Sequence, residues 1–471
     1  MRTTQAARYA RWSVTAAALV AVMVAAVYGW RAWEARQALA TAPPPVPPAV
    51  QQRSAEFTFS KVVGNNTRFI LRASQATEFK EGGRALLEDV WITAFGGNGA
   101  RSDQLHTRSC EYLASSGTVT CPDEVLIDLY ARPKGSQAAD EQAPSDAELR
   151  GVHVVTSHLS FNRETGMATS DAPVQFRFPE GEGRAVGLAY DSQRGELRLL
   201  REVELMFRAG APDKSSPLPA GDPTTISSGQ LVYRRDEGLI HLNGAARMRN
   251  GSQVLEAGRI EMELDAEAQA RRLIARDDPV FRNPGGASDV SLAADELAVP
   301  LDGMGHPTRV LASGSVVLSA QRDDGRHELT AASATLDFAP GQQVASRFSA
   351  KENVTVRSTL ADGSMRRLET SRLEVTFVPE GQDDSRIERA TAASATMEWE
   401  SASRGASRPD DETMSMKGEL LDGSFDPAGQ LRELRGSGGV QVRRQSPGNR
   451  LMTSASRELL AHIAADGGWT L

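Results

Sequence analysis

The sequence predicts an elongated all-β array set behind one N-terminal apolar span, and three observations lead there. A short pattern recurs every 37 to 39 residues from about position 226, apolar residues inside each copy alternate with period two, and the first thirty residues hold a long charge-free run. Four copies align without gaps. They read Leu255-x-Ala257-x-x-Ile260-x-Met262-x-Leu264, Leu292-x-Ala294-x-x-Leu297-x-Val299-x-Leu301, Leu329-x-Ala331-x-x-Ala334-x-Leu336-x-Phe338 and Leu368-x-Thr370-x-x-Leu373-x-Val375-x-Phe377. A two-residue period is that of a half-buried strand, not of a helix. A fixed repeat of this size means stacked units, each burying its face against its neighbours.

A second element falls between those copies, with the form apolar-x-small-x-x-x-apolar. Its examples run from Leu242 through Gly244 to Met248, from Val310 through Ala312 to Val316, from Phe348 through Ala350 to Val354, and from Leu434 through Gly436 to Val440. A small residue at one fixed place marks a bend or a close strand approach. Asp324-Gly325, Pro340-Gly341 and Asp362-Gly363 mark the reversals. The expected course is nearly continuous antiparallel β structure from about residue 55 to the C-terminus, without a long helix.

No charged residue lies between Trp12 and Trp30, and Trp12, Tyr28, Trp30 and Trp33 mark the two ends of that run. Its length nearly matches the ~20 residues that cross a bilayer's hydrocarbon core, and aromatics favour both interfaces. A cleaved signal peptide would use Ala38-Leu39-Ala40, but that site lies about ten residues past the apolar run and beyond Arg31, Glu34 and Arg36. The reading is an uncleaved anchor over residues 12–32, a short cytoplasmic tail at 1–11, and everything else outside. Residues 33–54 form a linker whose Pro43, Pro44, Pro45, Pro47 and Pro48 favour extended polyproline II.

About 420 residues remain, too many for one compact core, so two or more domains or one long array are expected. A net charge of −8 with interspersed signs excludes a concentrated basic face and argues against nucleic acid. Aromatics make up 6% of the chain, too few for stacking platforms.

The two cysteines, Cys110 and Cys121, flank a segment with Ser115-Ser116-Gly117 at its midpoint. A tight hairpin there places the thiols opposite each other, which suits a disulfide in an oxidising compartment. Two free buried thiols fit the same spacing, because sequence does not set the register of a short hairpin. The seven histidines, among them His153 and His158 on one expected strand, show no metal-ligand spacing. No nucleophile elbow, phosphate loop or dinucleotide fingerprint is present. The sequence points to no catalytic residue, no metal and no cofactor.

Residues from about Phe57 to Phe207 resemble the periplasmic part of the LptC family. The carrying features are a short N-terminus with one span, then Leu87-Glu88-Asp89-Val90-Trp91-Ile92-Thr93-Ala94-Phe95 followed by Gly96-Gly97-Asn98-Gly99. Further on come Leu159-Ser160-Phe161-Asn162-Arg163-Glu164-Thr165-Gly166-Met167-Ala168-Thr169-Ser170-Asp171, Val174-x-Phe176 and Gly187-Leu188-Ala189-Tyr190-Asp191. The repeats between Ile226 and Val442 resemble the OstA-type unit of LptA and of the N-terminal part of LptD. The chain departs from the LptC pattern by being more than twice the usual length.

The resemblance implies a twisted, V-shaped antiparallel β jelly roll whose apolar cleft holds lipid acyl chains, with an LptC-like domain at 55–215 and an OstA/LptA-like repeat domain at 216–471. It implies lipopolysaccharide as cargo and the inner-membrane export ABC transporter subunits as partners. It also implies an LptA-like bridge or LptD-like outer-membrane partner joined through sheet edges. The alternating residues Leu159, Phe161, Val174, Phe176, Phe178, Leu188 and Tyr190 are the groove candidates, and each also reads as ordinary core. Two other readings stand beside this one. A membrane-anchored structural or adhesive β solenoid has a filled interior, and a FecR-like periplasmic sensor needs more than eleven cytoplasmic residues.

Overall fold

The structure is a computed structural model. It describes residues 50–63, 66–80, 83–95, 101–131, 151–178, 181–207, 223–265, 269–285, 289–303, 305–340, 344–380, 384–400, 413–427, 429–446, 450–463 and 469–470. The expected tail, apolar span and proline run lie outside these residues. No described helix is long and apolar enough to cross a membrane.

Strands follow one another almost without interruption. The first group comprises β1 (Val50–Val63), β2 (Asn66–Phe79), β3 (Arg84–Phe95), β4 (Arg101–Leu113), β5 (Thr118–Ala131), β6 (Val152–Asn162), β7 (Met167–Phe178), β8 (Gly181–Asp191) and β9 (Glu196–Phe207). Then come β10 (Thr224–Ser228), β11 (Gln230–Arg234), β12 (Leu239–Asn250), β13 (Gln253–Leu264), β14 (Ala270–Arg276), β15 (Val280–Asn283), β16 (Asp289–Ala293) and β17 (Glu296–Pro300). The chain closes with β18 (Arg309–Arg322), β19 (Gly325–Phe338), β20 (Ala345–Leu360), β21 (Met365–Pro379), β22 (Ser385–Glu400), β23 (Thr413–Phe425), β24 (Leu431–Ser446), β25 (Arg450–Ile463) and β26 (Trp469–Thr470). A single 3-10 turn at Arg235–Glu237 is the one helical element described.

Every ladder is antiparallel, and apart from the split strands β10/β11, β14/β15 and β16/β17 each joins neighbours in sequence, so the sheet is one long meander. Where a strand is split, both halves pair with the same side of the meander. β10 and β11 both pair with β9 and β12 around Gly229. Cross-strand pairing therefore continues from β9 to β10 and β11. The first strand begins at Val50, five residues before the expected start at 55.

Most strands change direction at mid-length, and there the repeats become intelligible. In β3 the buried positions are Ala85 and Leu87 before the change and Val90, Ile92 and Ala94 after it, with Asp89 at φ 50° between them. One left-handed residue re-aims the strand so that both halves turn apolar side chains the same way. In the four aligned repeats the small residue and the second apolar residue flank this corner, as with Ala257 and Ile260, or Ala331 and Ala334, all buried.

The intervening strands carry one residue more at the corner. From Ser313 to Val316 is three steps while the partner goes from Ser333 to Ala331, and β12, β20 and β24 show the same excess against β13, β21 and β25. Left-handed pairs occupy the bulge: Gly244 with Ala245, Gly314 with Ser315, Glu352 with Asn353, and Gly438 with Gly439. Glycine adopts that conformation without the Cβ penalty. This corrects one expected alignment. Gly244 matches Gly314 and Gly438 in the bulge, whereas Leu242 is the counterpart of Ala312 and Gly436.

The corners divide the meander into two walls with one continuous apolar core between them. Phe69 on the β2–β3–β4 side meets Phe161 on the other, ring edge to face at 5.3 Å. The hairpin ends lie away from the corner and form the rims.

Cys110 and Cys121 are joined across β4 and β5, with Cα atoms 4.2 Å apart. That spacing belongs to a non-hydrogen-bonded antiparallel pair, where side chains come closest. Both residues are fully buried, and Leu159 is the cross-strand neighbour of Cys121. With a sequence separation of 11, the closed loop constrains the unfolded chain by about 2–3 kcal/mol. Reduction should lower the unfolding free energy by that amount, and equal unfolding free energies with and without reductant would contradict it.

Candidate functional site

The seven groove candidates come from three strands and both walls. Val174, Phe176 and Phe178 lie on one wall, and Leu159, Phe161, Leu188 and Tyr190 on the other. Leu159 and Leu188 are 0% exposed, and even Tyr190 reaches only 7%. Phe178, nearest the rim, is half-buried.

Local sequence explains how large rings fit here. Phe176 is opposite Gly183 and Phe178 opposite Gly181 on β8. A Cβ at Gly183 would fall 2.3 Å from the Phe176 ring, and one at Gly181 would fall 2.8 Å from that of Phe178. The Gly-Glu-Gly start of β8 therefore leaves two lanes into which the β7 rings lean. Phe178 then reaches Phe207 on β9, with ring centroids 5.0 Å apart.

At the rim, polar groups join the two walls. Asp103, on β4 and only 3% exposed, accepts a hydrogen bond from the Tyr190 hydroxyl of the opposite wall. Arg235 Nη1 also donates to Asp103 Oδ1 at 2.9 Å. A buried carboxylate is tolerated only when paired and hydrogen-bonded in this way. Tyr233, close by, has its hydroxyl pKa pushed up by burial, with the negative charges of Asp236 and Asp103 acting in the same direction against Arg235. Burial raises the pKa of Glu196, but hydrogen bonds from Arg234 and Arg198 outweigh it and hold the carboxyl below its ordinary value. Further along, Lys61 Nζ donates to the Arg163 carbonyl at 3.3 Å and the Glu164 carbonyl at 3.0 Å, tying β1 to the β6–β7 turn.

Sequence reasoning missed Asp103, Arg235 and Phe207. Asp103 does occupy the inward register of β4, two residues from buried Leu105, but an acid there reads as an interruption of the apolar pattern. The histidines are not brought together: His153 pairs with Asp128 at 2.6 Å, while His158 sits at a corner beside Ser157. Among the described residues no group of three or more His, Cys, Asp or Glu is placed to hold a metal ion.

These features define a class: an open β meander folded into two walls around an apolar interior, with polar ties at the rim and no assembled reactive groups among the described residues. Residues 17–206 match the family model described as lipopolysaccharide-assembly, LptC-related. Over that segment the chain is LptC-like, which links it in broad terms to lipopolysaccharide transport. No curated protein matches the chain.

Proposed function

We propose that this chain is a membrane-anchored periplasmic lipid carrier that passes lipopolysaccharide from the inner membrane toward the outer membrane. One observation carries the reading: the LptC-like segment encloses an apolar interior between two walls, lined by Leu159, Phe161, Val174, Phe176, Phe178, Leu188 and Tyr190. The work would be physical. Acyl chains between the walls stay out of water at about 0.8 kcal/mol per buried CH₂, while the sugar and phosphate head remains in solvent. The energy would come from inner-membrane ABC transporter subunits. Among the described residues β1 pairs only with β2, and the outer edges of β1 and of the far end of the meander suit strand addition by an LptA-like or LptD-like partner. Residues 12–30 would hold the chain in the inner membrane as an uncleaved span.

The close packing of the seven side chains favours the structural β solenoid as a second reading, since that role needs a filled interior. Lipid entry would have to part the walls at the rim. Mass spectrometry of the intact protein, purified from its membrane in mild detergent, separates the two. The carrier reading expects co-purified lipopolysaccharide, and repeated absence of any bound amphiphile moves the assignment to the structural role.

A further inference from the structure

The inner wall of the C-terminal region carries a row of side chains unlike the rest of the interior. Following cross-strand partners near the rim gives His327, Ser358, Arg366, Trp399, Met414 and Arg444 on β19 to β24. The row faces inward. Each member lies two residues rimward of a core position: Leu329, Val356, Leu368, Met397, Met416 and Val442. Trp399 and Met414 pack against the core cluster, and His327 Nδ1 lies 2.9 Å from Ser358 Oγ on the same face. Arg366 and Arg444 are exposed at either side of the Trp399–Met414 pair. Three inter-strand steps separate them, about 14 Å at ~4.8 Å per step.

Among the described residues the opposite wall presents Phe377, Ile387 and Leu431 at the matching depth, all packed against the core. Two turn carboxylates share the arginine rim. Asp324 lies 3.3 Å from His327 Nε2, and Asp362 feels Arg366 electrostatically. The corresponding rim near β4 carries the opposite charge: its inward ion is Asp103, which accepts hydrogen bonds from Arg235 and Tyr190.

We infer that the C-terminal region is a second amphiphile site, in which acyl chains lie between the walls and a phosphate-bearing headgroup is held at the rim by Arg366 and Arg444. The guanidinium fork matches phosphate oxygens in two parallel hydrogen bonds, and its weak hydration suits a site beside Trp399. The inference rests on the carrier reading and adds to it a headgroup chemistry and two residues.

The test uses the full-length chain in nanodiscs, with a photoactivatable C16 alkyl phosphate, its neutral C16 alcohol, and adduct mapping by peptide mass spectrometry. The alkyl phosphate should label the inner faces of β20 to β24 at least tenfold more than the alcohol. R366Q/R444Q should remove that excess while leaving labelling by the alcohol within twofold. R367Q/R443Q, which changes the arginines next in sequence on the outer face, should keep the excess. Millimolar inorganic phosphate should not compete, because the acyl chain supplies most of the binding. Equal labelling by both probes in the wild type, or equal loss of both in R366Q/R444Q, overturns the arginine site while leaving the carrier reading intact. Labelling by neither probe anywhere on the chain ends both.

Discussion

Asp103→Ala is expected to loosen the rim between the two walls by about 3 kcal/mol, near the lower end of the range for breaking a buried ion pair. The carboxylate is 3% exposed, and its arginine partner's side chain is 14% exposed. Alanine would leave the Arg235 guanidinium facing a dry interior and the Tyr190 hydroxyl without this acceptor, and the cost of the stranded groups exceeds the net value of the pair. Asp103 lies in the LptC-like segment and Arg235 beyond it, so the loss should appear at their junction. Hydrogen exchange followed by mass spectrometry is the direct measurement. Peptides from β4, β8 and β11 should exchange roughly 100-fold faster, since 1.4 kcal/mol corresponds to tenfold. Peptides from β20 to β24 should be unaffected. Unchanged exchange in β4 and β8 would show that the rim is held by packing alone.

How much of this was legible in the sequence depends on the range of the interaction concerned. Local rules placed the strands. Most marked apolar residues of the four aligned repeats are buried or packed against the core, Leu301, Leu336 and Phe338 being half-buried, and the two-residue gap after Ala257, Ala294, Ala331 and Thr370 falls at the strand corner. The second element was readable only up to its bulge. Gly244 looked like the small inward residue because it follows Leu242 by two, yet its φ of 76° places it in the left-handed pair instead. Composition alone cannot separate a glycine that makes room from one that makes a bend.

Long-range pairings were not legible at all. Asp103 and Arg235 are separated by 132 residues, and their meeting depends on how far the walls close, which no local period encodes. The same holds for the lanes above Gly181 and Gly183, which serve in the fold as space for rings. Counting residues per core left two domains or one long array open, and an open meander has no such limit, because each strand needs only its two neighbours.

The largest functional contrast is expected between adjacent residues of β7. Phe176 is 5% exposed and Arg177 points to the outer face. Phe176→Asp removes a ring packed over Gly183 and puts a charge in its place. Truncating a buried phenylalanine alone costs about 3–5 kcal/mol, and an unpaired buried charge adds to that. This substitution therefore tests folding first and lipid binding second. Phe178→Asp separates the two, because Phe178 is half-buried at the rim against Phe207, where a carboxylate can still reach water. A charge at that place should repel acyl chains entering between the walls while leaving the core intact. Photo-crosslinking to lipopolysaccharide should fall at least tenfold in Phe178→Asp and stay within twofold in Arg177→Asp, for which a surface change of about 0.5 kcal/mol is typical. Near-native hydrogen exchange in β3 and β5 would establish that Phe178→Asp is folded. Equal crosslinking by the two folded variants would mean that lipid does not pass between these walls, and would assign the packed interior to a structural role.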